Sequence, residues 1–199
     1  MLSLLFLILA LAPLGSQPAQ PSASALYHDC GLEGVLSDSV FSEAYARAAG
    51  QAQLTRVLAI ADMSRPSTEK RLFLVDLQRH ELLLRTWVAH GKGSGGPVCR
   101  TVSDEPGSLC TSAGLYRVGE QIMSPKHGDA LLLDGLDRGM NGHAKEREII
   151  IHAADYVSES FINANGQLGR SWGCPAVSHE AMRLLLALLP QGSLLYIHA

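Results

Sequence analysis

The sequence predicts an α+β domain that is mainly β, with helices flanking the strands at its two ends. Short runs rich in Leu, Ile and Val alternate with polar turns from Arg56 onward, which is the strand signature. Helical periodicity is confined to one segment near the start and one near the end. The 199 residues, 47% of them hydrophobic, suffice for one closed core and give no reason to divide it.

In chain order, residues 39–50 place Val40, Phe41, Ala44, Tyr45 and Ala48 on one helical face and end on glycine, which predicts an amphipathic packing helix. Residues 56–62, 71–77 and 81–89 read as strands, with Gln78-Arg79-His80 as the hairpin connection between the last two. Residues 115–118, 130–133, 148–152 and 193–198 continue the pattern. Ser178 is placed to cap a last helix running through Leu189 and closed by Pro190 and Gly192.

The N-terminus sets an expectation about compartment. Residues 4–12 are an unbroken apolar run of nine, the length of a signal-peptide core and well short of the roughly 20 that a spanning helix needs. A polar break at 17–22 and the A-x-A pattern Ala23-Ser24-Ala25 predict that residues 1–25 are a cleaved leader and residues 26–199 the domain. The leader carries no Lys or Arg, so a retained anchor is the alternative. A net charge of −3 with no basic patch argues against a nucleic-acid partner. The longest basic cluster, Lys145-Glu146-Arg147, is broken by acid and reads as a solvated face.

Chemistry concentrates in two places. His152 closes the apolar run Ile149-Ile150-Ile151, and 22 positions later Cys174 follows Gly173 in Gly169-Arg170-Ser171-Trp172-Gly173-Cys174-Pro175. A free thiol titrates near 8.5, so a thiol nucleophile needs a neighbouring base, which His152 supplies. Gly173 lets backbone approach a reacting carbonyl, and the N–H groups of Gly173 and Cys174 are candidate oxyanion donors. The competing reading is a buried apolar cysteine beside a satisfied strand-end histidine.

Those residues resemble the catalytic domain of the peptidoglycan L,D-transpeptidases, the YkuD-like family. They are most similar to the branch that carries Ser-Trp-Gly-Cys-Pro-Ala, present here as Ser171-Trp172-Gly173-Cys174-Pro175-Ala176. The likeness extends through Asp62-Met63-Ser64-Arg65-Pro66, Ala89-His90-Gly91-Lys92-Gly93, Lys126-His127-Gly128 and Leu133-Asp134-Gly135, and so spans roughly residues 26–199. It implies a β-sandwich-type catalytic fold with flanking helices. It also implies a cysteine acyltransferase that needs no cofactor and no metal, and secretion across the inner membrane to the periplasm, where peptidoglycan stem peptides are the partner.

By that resemblance Cys174 forms a thioester with a stem tetrapeptide, expels D-alanine, and passes the acyl group to an amine as a 3-3 cross-link. Water as acceptor would make the protein an L,D-carboxypeptidase, and a non-catalytic wall-binding module of the same fold is the alternative from another class. Ala153 stands where the family usually has glycine or serine and keeps the carbonyl that orients His152. Trp172 replaces the commoner histidine; were its indole packed beneath the turn, Trp172→Ala would cost about 3 to 5 kcal/mol. Arg170, Ser171, Trp172, His127, His90 and Tyr156 are the candidate substrate-binding residues, although arginine before a turn, histidine beside glycine and tyrosine in a β domain all have purely structural roles too.

Of the four cysteines, a nucleophilic Cys174 must stay reduced, which leaves Cys30, Cys99 and Cys110. Cys99 and Cys110 flank a turn-rich segment and are expected to be bridged, with Cys30 free. The eight histidines are scattered, with neither a C-x-x-C nor an H-x-x-x-H spacing for a metal.

Overall fold

The computed structural model describes residues 21–52 and 54–199. The apolar run 4–12 lies outside them. Four helices are arranged around one mixed sheet of eight strands, in the order β3-β2-β1-β8-β4-β5-β6-β7. The strands are β1 (Val57–Asp62), β2 (Leu72–Asp76), β3 (Glu81–Thr86), β4 (Gly114–Ser124), β5 (Gly128–Gly135), β6 (Ile150–Ala153), β7 (Ala176–Val177) and β8 (Leu194–His198). The helices are α1 (Ala23–Asp29), α2 (Asp38–Ala49), α3 (Glu159–Asn165) and α4 (His179–Leu188).

The central strands are buried on both faces because each face has its own cover. Leu58 and Ile60 of β1, Phe73 and Val75 of β2, and Leu194 and Tyr196 of β8 meet α1 and α2. The alternate residues Ala59, Ala61, Leu72, Leu74, Leu195 and Ile197 join Leu131, Leu133 and Ile151 against Met182 and Leu185 of α4. Successive side chains point to opposite faces, so one apolar run fills two layers. Pairing is antiparallel except between β1 and β8 and between β6 and β7.

The sheet also curls back on itself. Past β3 the chain leaves its partner β2, and Ala89 exchanges backbone hydrogen bonds with Ala176 of β7 at 2.8 and 3.2 Å. Gly91 continues the contact with Ser171. The third predicted strand therefore stops at Thr86 rather than Ala89, because its last residues pair with the opposite end of the sheet.

One strand is longer than the sequence predicts, and α1, α3 and β7 have no counterpart in that prediction. β4 runs from Gly114 to Ser124 through a bulge near Gly119, whose disrupted register hides the alternation. α1 forms where only a cleavage site was expected: Ser22 caps it by accepting from Ala25 N–H at 3.2 Å, and Tyr45 Oη donates to Pro21 O at 3.0 Å. Cleavage after Ala25 would remove both contacts. Ser178 caps α4 as expected, accepting from Ala181 N–H at 3.1 Å.

Cys99 and Cys110 are not bridged. Both are buried free thiols that donate to nearby carbonyls, Cys99 to Thr101 O and Cys110 to Ser108 O. Cys30 is likewise free. Among the described residues, no helix is long and apolar enough to cross a membrane.

Candidate active site

The parallel pairing of β6 and β7 builds the site. It sets Ala176 beside His152, with His152 N–H donating to Pro175 O at 3.4 Å, so Cys174 is delivered to the end of β6. Both residues line one cavity of about 660 Å³, within the range that holds a small peptide-sized ligand.

The Cys174 turn is held from inside. Ser171 Oγ donates to Cys174 O at 2.5 Å and accepts from Gly173 N–H at 3.1 Å. Thr111 Oγ1 donates to Gly173 O at 3.0 Å and accepts from Gly91 N–H at 2.9 Å. Gly173 adopts φ +134°, and a Cβ there would sit 2.8 Å from Cys110 O and 3.0 Å from Arg147 Nη2. Only glycine fits this position without displacing backbone. The Gly173 N–H is thus committed to Ser171 and is not a free oxyanion donor, contrary to the expectation from sequence. The backbone N–H groups of Ile150 and Cys174 favour the thiolate form of the sulfur.

His152 is buried, and its Nδ1 sits 2.9 Å from Ala153 O. A carbonyl only accepts, so Nδ1 carries the proton and Nε2 is left with a lone pair. Burial pulls the imidazole down to about 4, aided by the charges of His127 and Lys126 against the opposing Ala153 hydrogen bond. Burial pushes the Cys174 thiol up, while the Ile150 N–H and the Arg147 charge oppose that rise. At neutral pH the resting pair is therefore thiol and neutral imidazole, the state that a base-assisted thiol reaction requires. Cys174 Sγ rests against Glu148 O at 3.8 Å, and Glu148 holds a left-handed φ of +54°.

The cavity rim comes from the β4–β5 hairpin. His127 stacks on His152, and Lys126 Nζ lies 4.1 Å from the centroid of the Trp172 ring, with Lys92 Nζ at 5.4 Å. Trp172 is 65% exposed, so its indole stands on the lip of the cavity instead of packing beneath the turn. Arg170, Ser171 and Tyr156 also line the cavity. Arg170 Nη1 donates to Gly95 O at 2.7 Å. Burial, with the nearby Cys174, pushes the Tyr156 phenol up to about 12.

His90 does not belong with them. It is 1% exposed, and its Nδ1 accepts from Arg71 Nη2 at 2.7 Å inside the protein. Its part in the site is through backbone, since His90 O accepts from Ser171 N–H at 3.0 Å. Arg147 reverses the other expectation. Its side chain is 4% exposed, so Arg147 turns inward while Lys145 and Glu146 stay exposed as the solvated face expected of the cluster. Sequence reasoning missed it because alternating charge looks the same on a surface and beside a cleft. The one sequence signal was its position immediately before the strand that ends in His152. Among the described residues, no group of three His, Cys, Asp or Glu side chains is placed to hold a metal.

No curated protein matches this chain significantly. Among solved structures it is similar to an L,D-transpeptidase from Stackebrandtia nassauensis, at 14% identity and a TM-score of 0.45, covering 89% of this chain and 78% of that one. An L,D-transpeptidase from Mycobacterium smegmatis gives 13% identity and a TM-score of 0.45, covering 72% and 59% of the two chains. The helical cell shape determining protein Pgp2 from Campylobacter jejuni gives 14% and 0.46, covering 71% and 46%. The chain thus spans about half to three fifths of the length of the last two. Residues 34–198 match the family described as L,D-transpeptidase catalytic domain, and the chain belongs to that family.

Proposed function

We propose that this protein is a peptidoglycan L,D-transpeptidase that works through a Cys174 thioester. The observation that carries the reading is the tautomer of His152. With Nδ1–H fixed on Ala153 O, the free Nε2 belongs to a neutral base that shares one cavity with the Cys174 thiol.

His152 Nε2 takes the S–H proton as sulfur attacks the carbonyl of the third, L-centred diamino acid of a stem tetrapeptide. The C–N bond to D-alanine breaks, and the imidazolium returns its proton to the leaving amine. The side-chain amine of a second stem peptide then attacks the thioester, His152 accepts its proton, and the thiol is restored with a 3-3 cross-link formed. Water in place of that amine gives the tripeptide, which is L,D-carboxypeptidase chemistry. The residues at hand supply every proton transfer, and no cofactor enters. Export to the periplasm after removal of a leader fits such a substrate.

The test is incubation of the folded protein with disaccharide tetrapeptide, followed by mass spectrometry. Release of D-alanine with 3-3 dimer or tripeptide is expected, and a carbapenem should leave a covalent adduct on Cys174. Cys174→Ala should abolish both outcomes, and His152→Ala should slow acylation by about 100-fold to 10,000-fold. Wild-type protein that yields neither product nor adduct would instead be a wall-binding module.

A further inference from the structure

We infer that Arg147 is a positioning residue for the nucleophile: it clamps the segment backing the Cys174 turn and directs a positive charge at the sulfur as the thiol ionises. The inference rests on the reading of Cys174 as nucleophile.

The clamp is a set of four contacts to one loop. Arg147 Nη1 donates to Ser103 O at 2.9 Å and Ser112 Oγ at 3.2 Å, and lies 3.5 Å from Asp104 Oδ1. Nη2 donates to Cys110 O at 2.6 Å. That carbonyl and Nη2 are the same two groups that exclude a Cβ at Gly173. Thr111, the next residue, holds Gly173 O. The guanidinium therefore reaches the nucleophile turn through one backbone carbonyl and abuts its glycine directly.

Its charge is also left largely uncompensated. Among the described residues Asp104 is the single carboxylate paired with it, at a long 3.5 Å, and Asp104 Oδ2 is taken by the His143 N–H at 2.8 Å and by His143 Nδ1 at 3.1 Å. The cavity around the sulfur is also lined by His152, His127, Tyr156, Lys126, Lys145, Arg170 and Glu148; of these Glu148 opposes ionisation, whereas the Arg147 charge favours it. The position before Gly173 offers no second imidazole, being Trp172, and the second position after the cysteine offers no polar group, being Ala176. Arg147 is thus a buried cation held against the segment that backs the Cys174 turn, in a low-dielectric setting where one charge has a large effect.

The experiment is the pH dependence of Cys174 alkylation by iodoacetamide, read by peptide mass spectrometry, in the whole protein and in Arg147→Met, Arg147→Lys and Asp104→Asn. Arg147→Met should raise the apparent thiol pKa by about one unit and slow alkylation at pH 7 about tenfold. Arg147→Lys should recover part of that shift, and Asp104→Asn, which removes the opposing carboxylate, should lower the apparent pKa. A merely structural arginine would change melting temperature without moving the profile. A folded Arg147→Met whose profile overlays the wild type overturns the inference. Where Arg147→Met does not fold, an unmoved profile in Asp104→Asn overturns it and a lowered one supports it. Failure of wild-type Cys174 to react selectively is a different result, which removes the nucleophile reading itself and this inference with it.

Discussion

His127, at the tip of the β4–β5 hairpin, stacks on His152 with ring centroids 3.8 Å apart and planes 28° from parallel. The contact joins the hairpin to the base of the site and covers an imidazole that would otherwise meet solvent. It depresses His152 in two ways, through burial and through the charge His127 carries when protonated.

Removing that ring should move the acid limb of the reaction. His127→Ala exposes His152 and takes away a neighbouring cation, so the apparent pKa governing acylation should climb from near 4 toward the ordinary 6.5. His127→Phe keeps the stack without the charge and should lie between. The check is the rate of carbapenem adduct formation from pH 3.5 to 8. A limb that stays put in His127→Ala would show that the hairpin does not tune the base.

Stability should fall with acid over a defined window. Burial pulls both His152 and His90 down to about 4, against 6.5 in the unfolded chain. Between those values the unfolded state binds more protons, so folding is stabilised above pH 6.5 and loses that contribution as pH drops through 4. The loss should be on the order of 3 kcal/mol per histidine. Urea midpoints at pH 7, 5.5 and 4 in His90→Gln and wild type separate the two sites, and equal slopes in both proteins would exclude His90.

Trp172→Ala should cost under about 1 kcal/mol, the scale of an exposed cation–π pair, because its indole is solvent-facing. The same change unclasps Lys126 from the nucleophile turn, so the expected effect on turnover is a higher KM at similar melting temperature. A drop of several kcal/mol in thermal or urea unfolding would show that the ring packs inward in solution.

Gly173→Ala should be far more damaging than its one added methyl suggests. The left-handed φ of +134° and the contacts of the added Cβ with Cys110 O and Arg147 cost about 1 to 3 kcal/mol and shift the cysteine. Activity should fall at least tenfold, with alkylation of Cys174 slowed in parallel. Wild-type kinetics in this variant would mean that the turn is compliant.

Much of this was legible in the linear chain. Strand runs such as 57–62 and 72–76 announce themselves because strands buried on both faces need unbroken apolar residues. That His152 and Cys174 share one cavity could be anticipated because nucleophilic chemistry restricts residue types, and Gly173 because a left-handed turn restricts side chains. What the sequence could not reveal was set by long-range pairing. Ala89 crosses from β3 to the far edge of the sheet, a choice made by closure and not by local propensity. α3 and the two-residue β7 are too short to carry a period of their own. Whether a charged or aromatic side chain faces water or protein is likewise decided only when loops distant in sequence converge. Arg147 is buried because residues 103–112 fold over it, His90 because Arg71 takes its ring nitrogen, and Trp172 stands exposed because Thr111 and Arg147 already fill the space beneath its turn.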